Sequence, residues 1–497
     1  MRISTEWLGE FTDIPENITY LADRLTDIGL EVEQVIRLDR DIENVQVAEV
    51  IEAERHPDKP HLTICEVTSE DNQGQVVTAA PRVRPGYQYL WAIPGSRLPG
   101  QQIEKETMAG VESDGMLCSS RELGLTREAQ TLLVIPEEFS PGSSAVEVLN
   151  LADPILELDL TPNRSDCLSH LGVARDFAAA EGLSLSDPRP KHPPEGPETE
   201  QSIRIDSPGD CPSYTGIQVQ NVSTGDSPFH IQKRILKMGL RPLNNIVDIT
   251  NYCLFEVGHP LHPFDADKLG DSVVIRKAYP DEELATLDGE TRELNTDDLV
   301  IANDSNPVAL AGIMGGQSTE VGRGTNNLFL EGAYFDPSSI RRGSNRHKLH
   351  TEASHRFERG TDPVDYRRSL YRCAELIQSD PLQDDDLTVH CPEESSTDDF
   401  DQTQIKFNPD QFNDLIGFNP GEDVMSDQLT RLGIEVEDKG DTWNLSIPYW
   451  RHDIQREEDI VEEIVRLHGY DKIPVEYPSI SLQETPVPKS TMPRCIR

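Results

Sequence analysis

The spacing of apolar and polar residues predicts many short helices and strands, arranged in several units along the chain. Residues 17–29 carry apolar side chains at positions i, i+4 and i+7 and end on Gly29, so we expect a short helix closed by glycine. A strand is expected to follow over residues 30–35. The same pattern returns later, where DQLTRLGIEVE at 427–437 matches DRLTDIGLEVE at 23–33. This internal repeat predicts two small α/β modules of one type.

Residues 39–150 have short apolar runs separated by turn residues, which is typical of a small β domain. The expected strands include 47–51, 62–67 and 75–78. A small closed barrel fits this spacing, although the spacing alone does not separate a barrel from a sandwich. Residues 155–181 then predict a strand, a turn and a helix.

Two polar stretches divide the second half of the chain. Residues 186–197 (SDPRPKHPPEGP) are rich in proline and predict an extended linker. A central domain is expected over about 200–390, followed by a second linker at 392–401 and the late repeat at 402–477. The remaining residues, 478–497, look like the entrance to another domain.

The central domain contains the most distinctive stretch of the chain, residues 311–360, which opens with a glycine-rich turn. Glycine at 312, 315 and 316 suggests positive φ or the close approach of a ligand to the backbone. Asp336 and Pro337 are then expected to begin a helix, as its N-cap and its first residue. That helix leads into the densest basic patch of the chain, RRGSNRHK at 341–348.

Between the turn and the helix, residues 327–335 predict a strand that carries Glu331 among apolar and small neighbours. Burying an unpaired carboxylate is costly, so a glutamate in this place needs a reason. One interpretation is a polar group of a binding site. The other is a solvated glutamate on an edge strand, and the spacing does not decide between them.

Charge and composition indicate the ionic environment of the protein more than they indicate what it binds. The net charge is −44, from 89 acidic and 45 basic residues, which taken alone argues against a nucleic-acid partner. The acidic residues are spread along the whole chain, which fits a salt-adapted cytosol where ionic strength screens repulsion. Eight cysteines without a CxxC pair indicate reduced thiols. With no signal-peptide pattern and no membrane-length apolar run, the sequence predicts a cytoplasmic protein.

Several segments together resemble the β subunit of bacterial phenylalanyl-tRNA synthetase. They are VESDGMLCS (111–119), LDLTPNRSDCLSHLGVAR (158–175), RPLNNIVDITNY (241–252), GHPLHPFD (258–265), AGIMGG (311–316), HRFERGTDP (355–363) and RLHGYDKIP (466–474). Their order and spacing extend over residues 1–477.

The resemblance implies an α+β, multidomain fold. An OB-fold tRNA-binding barrel (39–150) would interrupt a first α/β module (1–38 and 151–186). An editing domain (200–391) and a B5-like, winged-helix-like module (402–477) would follow.

Two features depart from the family pattern. The segment HPDKPHL at 56–62 stands where the family usually has a His-Pro-Asn-Ala-Asp-Lys-Leu type of segment. Family chains also continue for roughly three hundred further residues, enough for two more domains. We therefore interpret residues 478–497 as the start of a truncated synthetase-like domain, in a fragment, a shortened gene product or half of a split subunit.

Motifs for amino-acid activation would be the first sign of synthetic activity on this chain. The sequence contains neither HIGH nor KMSKS, and no P-loop, so amino-acid activation is not expected on this chain. In the family it occurs on the α subunit. The resemblance implies an α2β2 ligase that joins phenylalanine to tRNA(Phe) with ATP and magnesium, to which this chain would contribute tRNA contacts and editing.

An acidic cluster near the end of the chain is the candidate metal site. Asp453, Asp459, Glu462 and Glu463 follow D-x5-D-x2-E-E, and the last three would share one helix face. Clustered carboxylates suit Mg²⁺, which prefers oxygen ligands, but at this composition the pattern alone favours a solvated charged face. The resemblance favours magnesium, because these positions match the family's site near the α interface.

Histidines supply weaker metal patterns and one candidate catalytic group. His259, His262 and Asp265, or the histidines at 347, 350 and 355, could bind a metal. Pro260 and Pro263 break helical periodicity, so a turn that presents His262 to a pocket explains the first set better.

By resemblance, His262 and Glu331 belong to an editing pocket that hydrolyses mischarged Tyr-tRNA(Phe). The expected lining residues are Thr250, Asn251, Gly312, Gly315, Thr351 and Ala353. Two rival functions remain open at this point: a free-standing editing hydrolase, and a non-enzymatic RNA-binding or interaction protein that keeps only the fold.

Overall fold

The computed structural model describes residues 1–127, 131–397 and 400–474. The expected entrance to a further domain at 478–497 lies outside these residues. The described chain has a mixed α/β architecture that is built from several separate sheets. Among the described residues, no helix is long and apolar enough to cross a membrane.

The N-terminal segment forms four elements, of which its apolar spacing predicts the last two. They are β1 (Arg2–Ser4), α1 (Thr5–Leu8), α2 (Ile18–Asp27) and β2 (Glu31–Ile36). The side chain of Asn17 caps α2 by accepting the backbone N–H groups of Thr19 and Tyr20. Gly29, with φ of 89°, turns the chain into β2. The predicted helix–glycine–strand unit is confirmed.

The second segment is the predicted β domain. Its elements are β3 (Glu43–Arg55), β4 (Thr63–Thr68), β5 (Gln73–Thr78), β6 (Gln88–Leu98), β7 (Gln101–Gln102), β8 (Glu106–Met108), β9 (Val111–Ser113), β10 (Met116–Leu117) and α3 (Ala145–Val148). The main sheet has the order β10-β6-β3-β4-β5, with β7 paired to β6. Within the described residues this hydrogen-bonded order does not close into a ring. The β domain is confirmed, and the closed OB-fold barrel stays a prediction.

The chain then returns to the first sheet. It adds β11 (Ile155–Asp159) and α4 (His170–Glu181). Strand β11 lies between β1 and β2 and is antiparallel to both. Residues far apart in the chain therefore share one small sheet, and the six-stranded sheet is inserted between its strands.

The central segment contains two five-stranded sheets and the helices that cover them. Its strands are β12 (Ser202–Ile205), β13 (Ser213–Gln220), β14 (His262–Asp265), β15 (Ser272–Lys277), β16 (Glu283–Ala285), β17 (Thr291–Glu293), β18 (Leu299–Ala302), β19 (Pro307–Leu310), β20 (Met314–Gly315), β21 (Asn327–Tyr334), β22 (Thr388–Val389) and β23 (Glu393–Ser396). Its helices are α5 (Phe229–Lys237), α6 (Asn245–Val257), α7 (Ala266–Leu269), α8 (Pro337–His347), α9 (Glu352–Phe357) and α10 (Tyr366–Gln378).

One of these sheets has the order β12-β15-β18-β19-β20, and the other has the order β14-β21-β13-β22, with β23 paired to β13. Strand β23 corrects the second predicted linker. Residues 393–396 lie within the stretch expected to be irregular, but they extend the sheet along β13. Polar side chains misled the prediction, because an edge strand can be solvated on one face.

The last described module repeats the first. Its elements are β24 (Gln404–Phe407), α11 (Pro409–Ile416), α12 (Glu422–Arg431), β25 (Glu435–Asp438), β26 (Trp443–Ser446) and α13 (Glu457–His468). Helix α12, Gly433 with φ of 81°, and β25 reproduce the unit formed by α2, Gly29 and β2. The repeat therefore has the same local structure in both places. The module packs on α4, because Ala179 joins its apolar core.

Candidate functional site

Glu331 lies in the interior of a sheet. It is on β21, where its Cα is paired with His262 on β14 and with Gly216 on β13. Its side chain is buried, with 6% of the residue exposed. The edge-strand interpretation is therefore wrong, because β21 has a neighbour on each side and the carboxyl group does not face solvent.

The carboxyl group of Glu331 is buried without a cation. Tyr214 on β13 donates its O–H to Glu331 Oε2 at 2.9 Å. Among the described residues, no Lys, Arg or His forms an ion pair with this carboxylate. Burial raises the pKa of Glu331 to about 8, and the hydrogen bond from Tyr214 offsets this only in part. At neutral pH the carboxyl group is therefore largely protonated.

The imidazole of His262 is neutral for the same reason. Burial lowers its pKa to about 4. Its ring contacts Phe264 edge to face, with 4.5 Å between the ring centroids. The ring also lies against Gly315, where an added Cβ would be 2.5 Å from His262 Cε1. Position 315 must be glycine for the ring to sit there. The group that approaches the backbone is thus a side chain of this chain, and the approach of a ligand stays a prediction.

These groups line a cavity of about 720 Å³ in the central domain. All the predicted pocket residues line it: Thr250, Asn251, His262, Gly312, Gly315, Glu331, Thr351 and Ala353. The wall also includes apolar residues that the sequence did not indicate, among them Leu254, Leu261 and Phe357. The structure thus brings together one set of residues drawn from five separate segments of the chain.

Two of the lining hydroxyl groups hold the local backbone. Thr250 donates to the carbonyl of Val247 at 2.8 Å within α6. Thr351 caps α9 and donates to the carbonyl of Ile313 at 2.9 Å, which ties this helix to the glycine-rich turn. Gly312 in that turn has φ of 64°. The positive φ predicted for the turn is confirmed there.

The basic patch that follows β21 lies at the surface, and only part of it is paired with carboxylates among the described residues. The helix begins as predicted, since Asp336 accepts the backbone N–H of Ser339 at 2.8 Å and Pro337 follows it. Arg346 and His347 both contact the buried carboxylate of Asp298, with 2.7 Å between His347 Nε2 and Asp298 Oδ2. Arg346 is therefore paired with a carboxylate, whereas Arg341, Arg342 and Lys348 are exposed and form no ion pair among the described residues.

Three of the four predicted magnesium ligands accept hydrogen bonds from protein groups, and two of these three share Arg451. Asp453 accepts two hydrogen bonds from Arg451, at 2.9 and 3.0 Å. Glu463 accepts one from Arg451 at 2.6 Å and one from Arg466 at 2.7 Å. Asp459 accepts backbone N–H groups at the start of α13, and Glu462 is exposed.

These contacts decide whether the four carboxylates can bind a metal ion. No group of three His, Cys, Asp or Glu side chains in the described part of the chain is arranged to hold a metal. The four carboxylates therefore do not form a magnesium site from this chain's side chains alone, and the magnesium ion stays a prediction. The histidine patterns also do not assemble, since His259 stacks on Tyr366 with 5.4 Å between ring centroids.

Two of these carboxylates, Asp453 and Glu463, belong to a buried charge network between two modules. Arg466 on α13 donates to Asp176 on α4 at 2.6 and 3.0 Å and to the carbonyl of Ile28 at 2.7 Å. Although burial acts to raise it, the pKa of Glu463 is held well below its usual range by Arg466 and Arg451. The network joins the repeated module to the first one.

Three family models match successive parts of the chain. A putative tRNA binding domain matches residues 45–144, a B3/4 domain matches 210–379, and a tRNA synthetase B5 domain matches 405–470. The cavity that contains Glu331 lies in the B3/4 match. The charge network of Glu463 lies at the B5 match. Together they define a chain of the aminoacyl-tRNA synthetase type.

Comparison with curated relatives identifies one family within this class. Phenylalanine–tRNA ligase beta subunits from Staphylococcus haemolyticus, Moorella thermoacetica and Anaeromyxobacter dehalogenans are 39%, 40% and 40% identical to this chain. Each match covers 96% of this chain, and 61%, 60% and 60% of the relative. The chain belongs to the family of phenylalanine–tRNA ligase beta subunits, and it spans about three-fifths of the length of these relatives.

A solved structure with a related title is more distant. The crystal structure of an N-terminal fragment of the phenylalanyl-tRNA synthetase beta subunit from Pyrococcus horikoshii is 15% identical, with a TM-score of 0.36. The match covers 64% of this chain and 88% of that one. A similarity at this level adds nothing to the family assignment.

Tyr214 is the residue of the site that sequence reasoning missed. It is fully buried and precedes Glu331 by 117 residues. Its segment, SYTGIQVQ, has no motif that indicates a contact with the carboxyl group. Only the antiparallel pairing of β13 with β21 brings the two residues together.

Proposed function

We propose that this chain acts as a beta subunit of phenylalanine–tRNA ligase and hydrolyses mischarged Tyr-tRNA(Phe) in the cavity around Glu331. It would work in the cytoplasm with an alpha subunit, in an α2β2 assembly that uses ATP and magnesium to charge tRNA(Phe). The observation that carries the editing assignment is a buried carboxyl group without a cation, paired across two strands with a neutral histidine at a cavity.

The chemical need for such a site is a second selection step. A hydrophobic pocket shaped for phenylalanine cannot strongly reject tyrosine, because the two differ by one hydroxyl group. A second site can select for that hydroxyl if it offers hydrogen-bonding partners. Phenylalanine would leave those partners unpaired, at a cost of about 1–3 kcal/mol.

Glu331 and His262 are suited to this selection. Tyr214 occupies Oε2 of the carboxyl group and leaves Oε1 for a hydroxyl that enters the cavity. A neutral carboxyl group can accept a hydrogen bond at one oxygen and donate one from the other, and a neutral imidazole can do both through its two nitrogens. Apolar residues such as Leu261 and Phe357 would surround the aromatic ring of the substrate.

Hydrolysis of the ester would need a water molecule and stabilisation of the oxyanion that develops. The glycine-rich turn places backbone close to His262, and Gly312 and Gly315 would let backbone amides approach the ester. A histidine with a pKa of about 4 is a weak base. We therefore assign Glu331 and His262 to recognition, and the terminal ribose of the tRNA would position the water.

The test is deacylation of Tyr-tRNA(Phe) and Phe-tRNA(Phe) by the full chain, with and without an alpha subunit. We expect tyrosine to be released at least about fivefold faster than phenylalanine, which corresponds to the lower end of the unpaired-group cost. Glu331→Ala and His262→Ala should each reduce this preference while the circular dichroism spectrum stays that of wild type.

The matched control is Glu320→Ala, because Glu320 lines the same cavity but is exposed and belongs to no predicted recognition group. This variant should keep the tyrosine preference. Full tyrosine preference in folded Glu331→Ala and His262→Ala proteins would contradict the assignment.

A further inference from the structure

A second cavity, of about 530 Å³, lies where the β domain meets the loop between α5 and α6. One wall is the turn before β6, including Arg82, Arg84 and Tyr87. The other wall includes Arg241 and Leu243 from the loop. We refer to the space between these two walls as the interdomain groove.

The interdomain groove gathers positive charge in a strongly acidic chain. Arg82, Arg84 and Arg241 are exposed, and the described residues provide none of them with a carboxylate partner. Arg323 also lines the groove, and its only ion pair with a described residue is a loose one of 3.8 Å with the exposed Asp226. With a net charge of −44, a cluster of unpaired arginines is unusual and indicates an anionic ligand.

An exposed aromatic ring and an exposed apolar side chain lie beside these arginines. Tyr87 is 41% exposed and Leu243 is 54% exposed. The guanidinium carbon of Arg84 lies 5.5 Å from the ring centroid of Tyr87. Arginines that contact phosphates, next to an aromatic ring on which bases stack, are the usual combination for single-stranded nucleic acid.

The acidic residues of the groove do not oppose this interpretation. Asp248 is buried, bonds to the hydroxyl of Ser227, and accepts the backbone N–H of Leu243 at 2.9 Å. Its carboxyl group therefore holds the loop that presents Arg241 and Leu243. Asp226 is the one exposed carboxylate that lines the groove among the described residues.

The interdomain groove adjoins the cavity around Glu331. Arg241 and Leu243 line both cavities, so the loop between α5 and α6 forms their common rim. A polymer whose end lies at Glu331 and His262 would leave the pocket over this rim. The next surface that it would meet carries Arg82, Arg84 and Tyr87.

We propose that the interdomain groove binds the single-stranded 3′ end of a tRNA while its terminal aminoacyl ester occupies the cavity around Glu331. This proposal rests on the proposed editing function, since that function places the ester in the pocket. The arginines bind backbone phosphates, and Tyr87 stacks on a base. The β domain thus takes part in editing through a surface outside the pocket.

The test measures binding of the full chain to two RNA microhelices, one with a four-nucleotide 3′ overhang and one with a blunt end. Wild type should bind the overhang at least fivefold more tightly, since stacking of one base contributes about that much. The Arg82→Gln/Arg84→Gln variant should lower the slope of log K against log salt by about 1.4, because each phosphate contact to a single strand contributes about 0.7. Tyr87→Ala should lose most of the overhang preference.

The matched control is Arg55→Gln. Arg55 is an exposed arginine of the same β domain without a carboxylate partner in the described residues, and it lies outside the groove. Its variant should bind like wild type. Equal binding of the two microhelices by wild type, or equal loss in the Arg55→Gln variant, would overturn the proposal.

Hydrolysis of 3′-tyrosyl-adenosine separates this proposal from the editing function. This substrate has an ester for the pocket but no strand for the groove, so groove variants should hydrolyse it at the wild-type rate. Their KM for Tyr-tRNA(Phe) should rise with little change in kcat. If wild type hydrolyses neither substrate, the editing function fails, whereas the microhelix binding still decides whether the groove recognises an overhang.

Discussion

Two glutamates in this protein are equally buried but have opposite electrostatic surroundings. Glu331 and Glu463 are 6% and 4% exposed. Glu331 has a tyrosine hydroxyl as its partner, and burial raises its pKa to about 8. Glu463 lies between Arg451 and Arg466, which hold its pKa well below the usual range despite burial.

This difference distinguishes Glu463, a charge that stabilises the fold, from Glu331, the group that we propose binds a ligand. Removing one partner from a buried ion pair is strongly destabilising, because the remaining charge stays uncompensated. A buried carboxyl group without a cation already carries that cost in the free protein. Under the proposed function such a group would bind a ligand that completes its hydrogen bonds, and the cavity beside Glu331 provides room for one.

The largest expected effect is on the stability of the arginine network. Glu463→Gln removes the negative charge between two buried arginines, and we expect the free energy of unfolding to fall by about 3–5 kcal/mol. Denaturant unfolding measures this loss. The neighbouring Glu462→Gln is the control, because Glu462 is exposed and its substitution should change stability by less than about 0.5 kcal/mol. Equal effects of the two variants would contradict the structural role of Glu463.

The dependence of stability on pH should have opposite signs at the two glutamates. The folded pKa of Glu331 lies above its unfolded value of 4.5, so its contribution is complete below pH 4.5 and is lost as pH rises through about 8. Glu463, with a lowered pKa, contributes above pH 4.5 and loses its contribution as pH falls.

The variant Glu331→Gln isolates the first of these terms, because an amide does not titrate. From pH 5 to pH 8, wild type should lose about 3–4 kcal/mol relative to this variant. Unfolding curves of both proteins at several pH values measure the difference. Parallel stability curves would show that Glu331 titrates as an ordinary glutamate.

The fit of His262 against the glycine-rich turn should have a smaller effect. In Gly315→Ala the new Cβ would lie 2.5 Å from the imidazole, so the ring must move, at about 1–3 kcal/mol. Stability and tyrosine release should both fall. Gly322→Ala is the control, since no atom lies within 4 Å of its added Cβ and its φ is not positive. A Gly315→Ala protein with wild-type activity would contradict the packing described for His262.

The smallest expected effect comes from repulsion among the carboxylates of the acidic surface. Repulsion among exposed carboxylates should weaken as salt is added, because the Debye length falls from about 30 Å at 0.01 M to about 10 Å at 0.1 M. The melting temperature should therefore rise along a salt series. The penalty of Glu463→Gln should change little, because buried pairs are screened less. A melting temperature that does not change with salt would contradict the hypothesis that the protein is adapted to high salt.

Local structure was predictable wherever the determinants are close in sequence. The helix–glycine–strand repeat and the helix start at Asp336 depend on a few adjacent residues, and both are found. The lining of the cavity came from the family resemblance, and its members meet in space as expected. The closed barrel of the β domain is not established by the strand order.

Partners that meet only through tertiary structure were not predictable. The contact of Tyr214 with Glu331 depends on strand pairing across 117 residues. The acidic residues of α13 looked like a metal site because helical spacing places three of them within one turn. In the fold, Glu463 turns inward to arginines while Glu462 faces solvent. Composition alone cannot separate these two positions, because acidic residues are abundant throughout the chain.

The most direct test of the account is whether the cavity distinguishes tyrosine from phenylalanine through Glu331. Two non-hydrolysable ligands would be used, 3′-amide-linked tyrosyl- and phenylalanyl-adenosine, with binding measured by calorimetry on the full chain. Wild type should prefer the tyrosyl ligand by about fivefold or more, and Glu331→Ala should bind both ligands about equally while remaining folded. An undiminished tyrosine preference in folded Glu331→Ala would contradict the account.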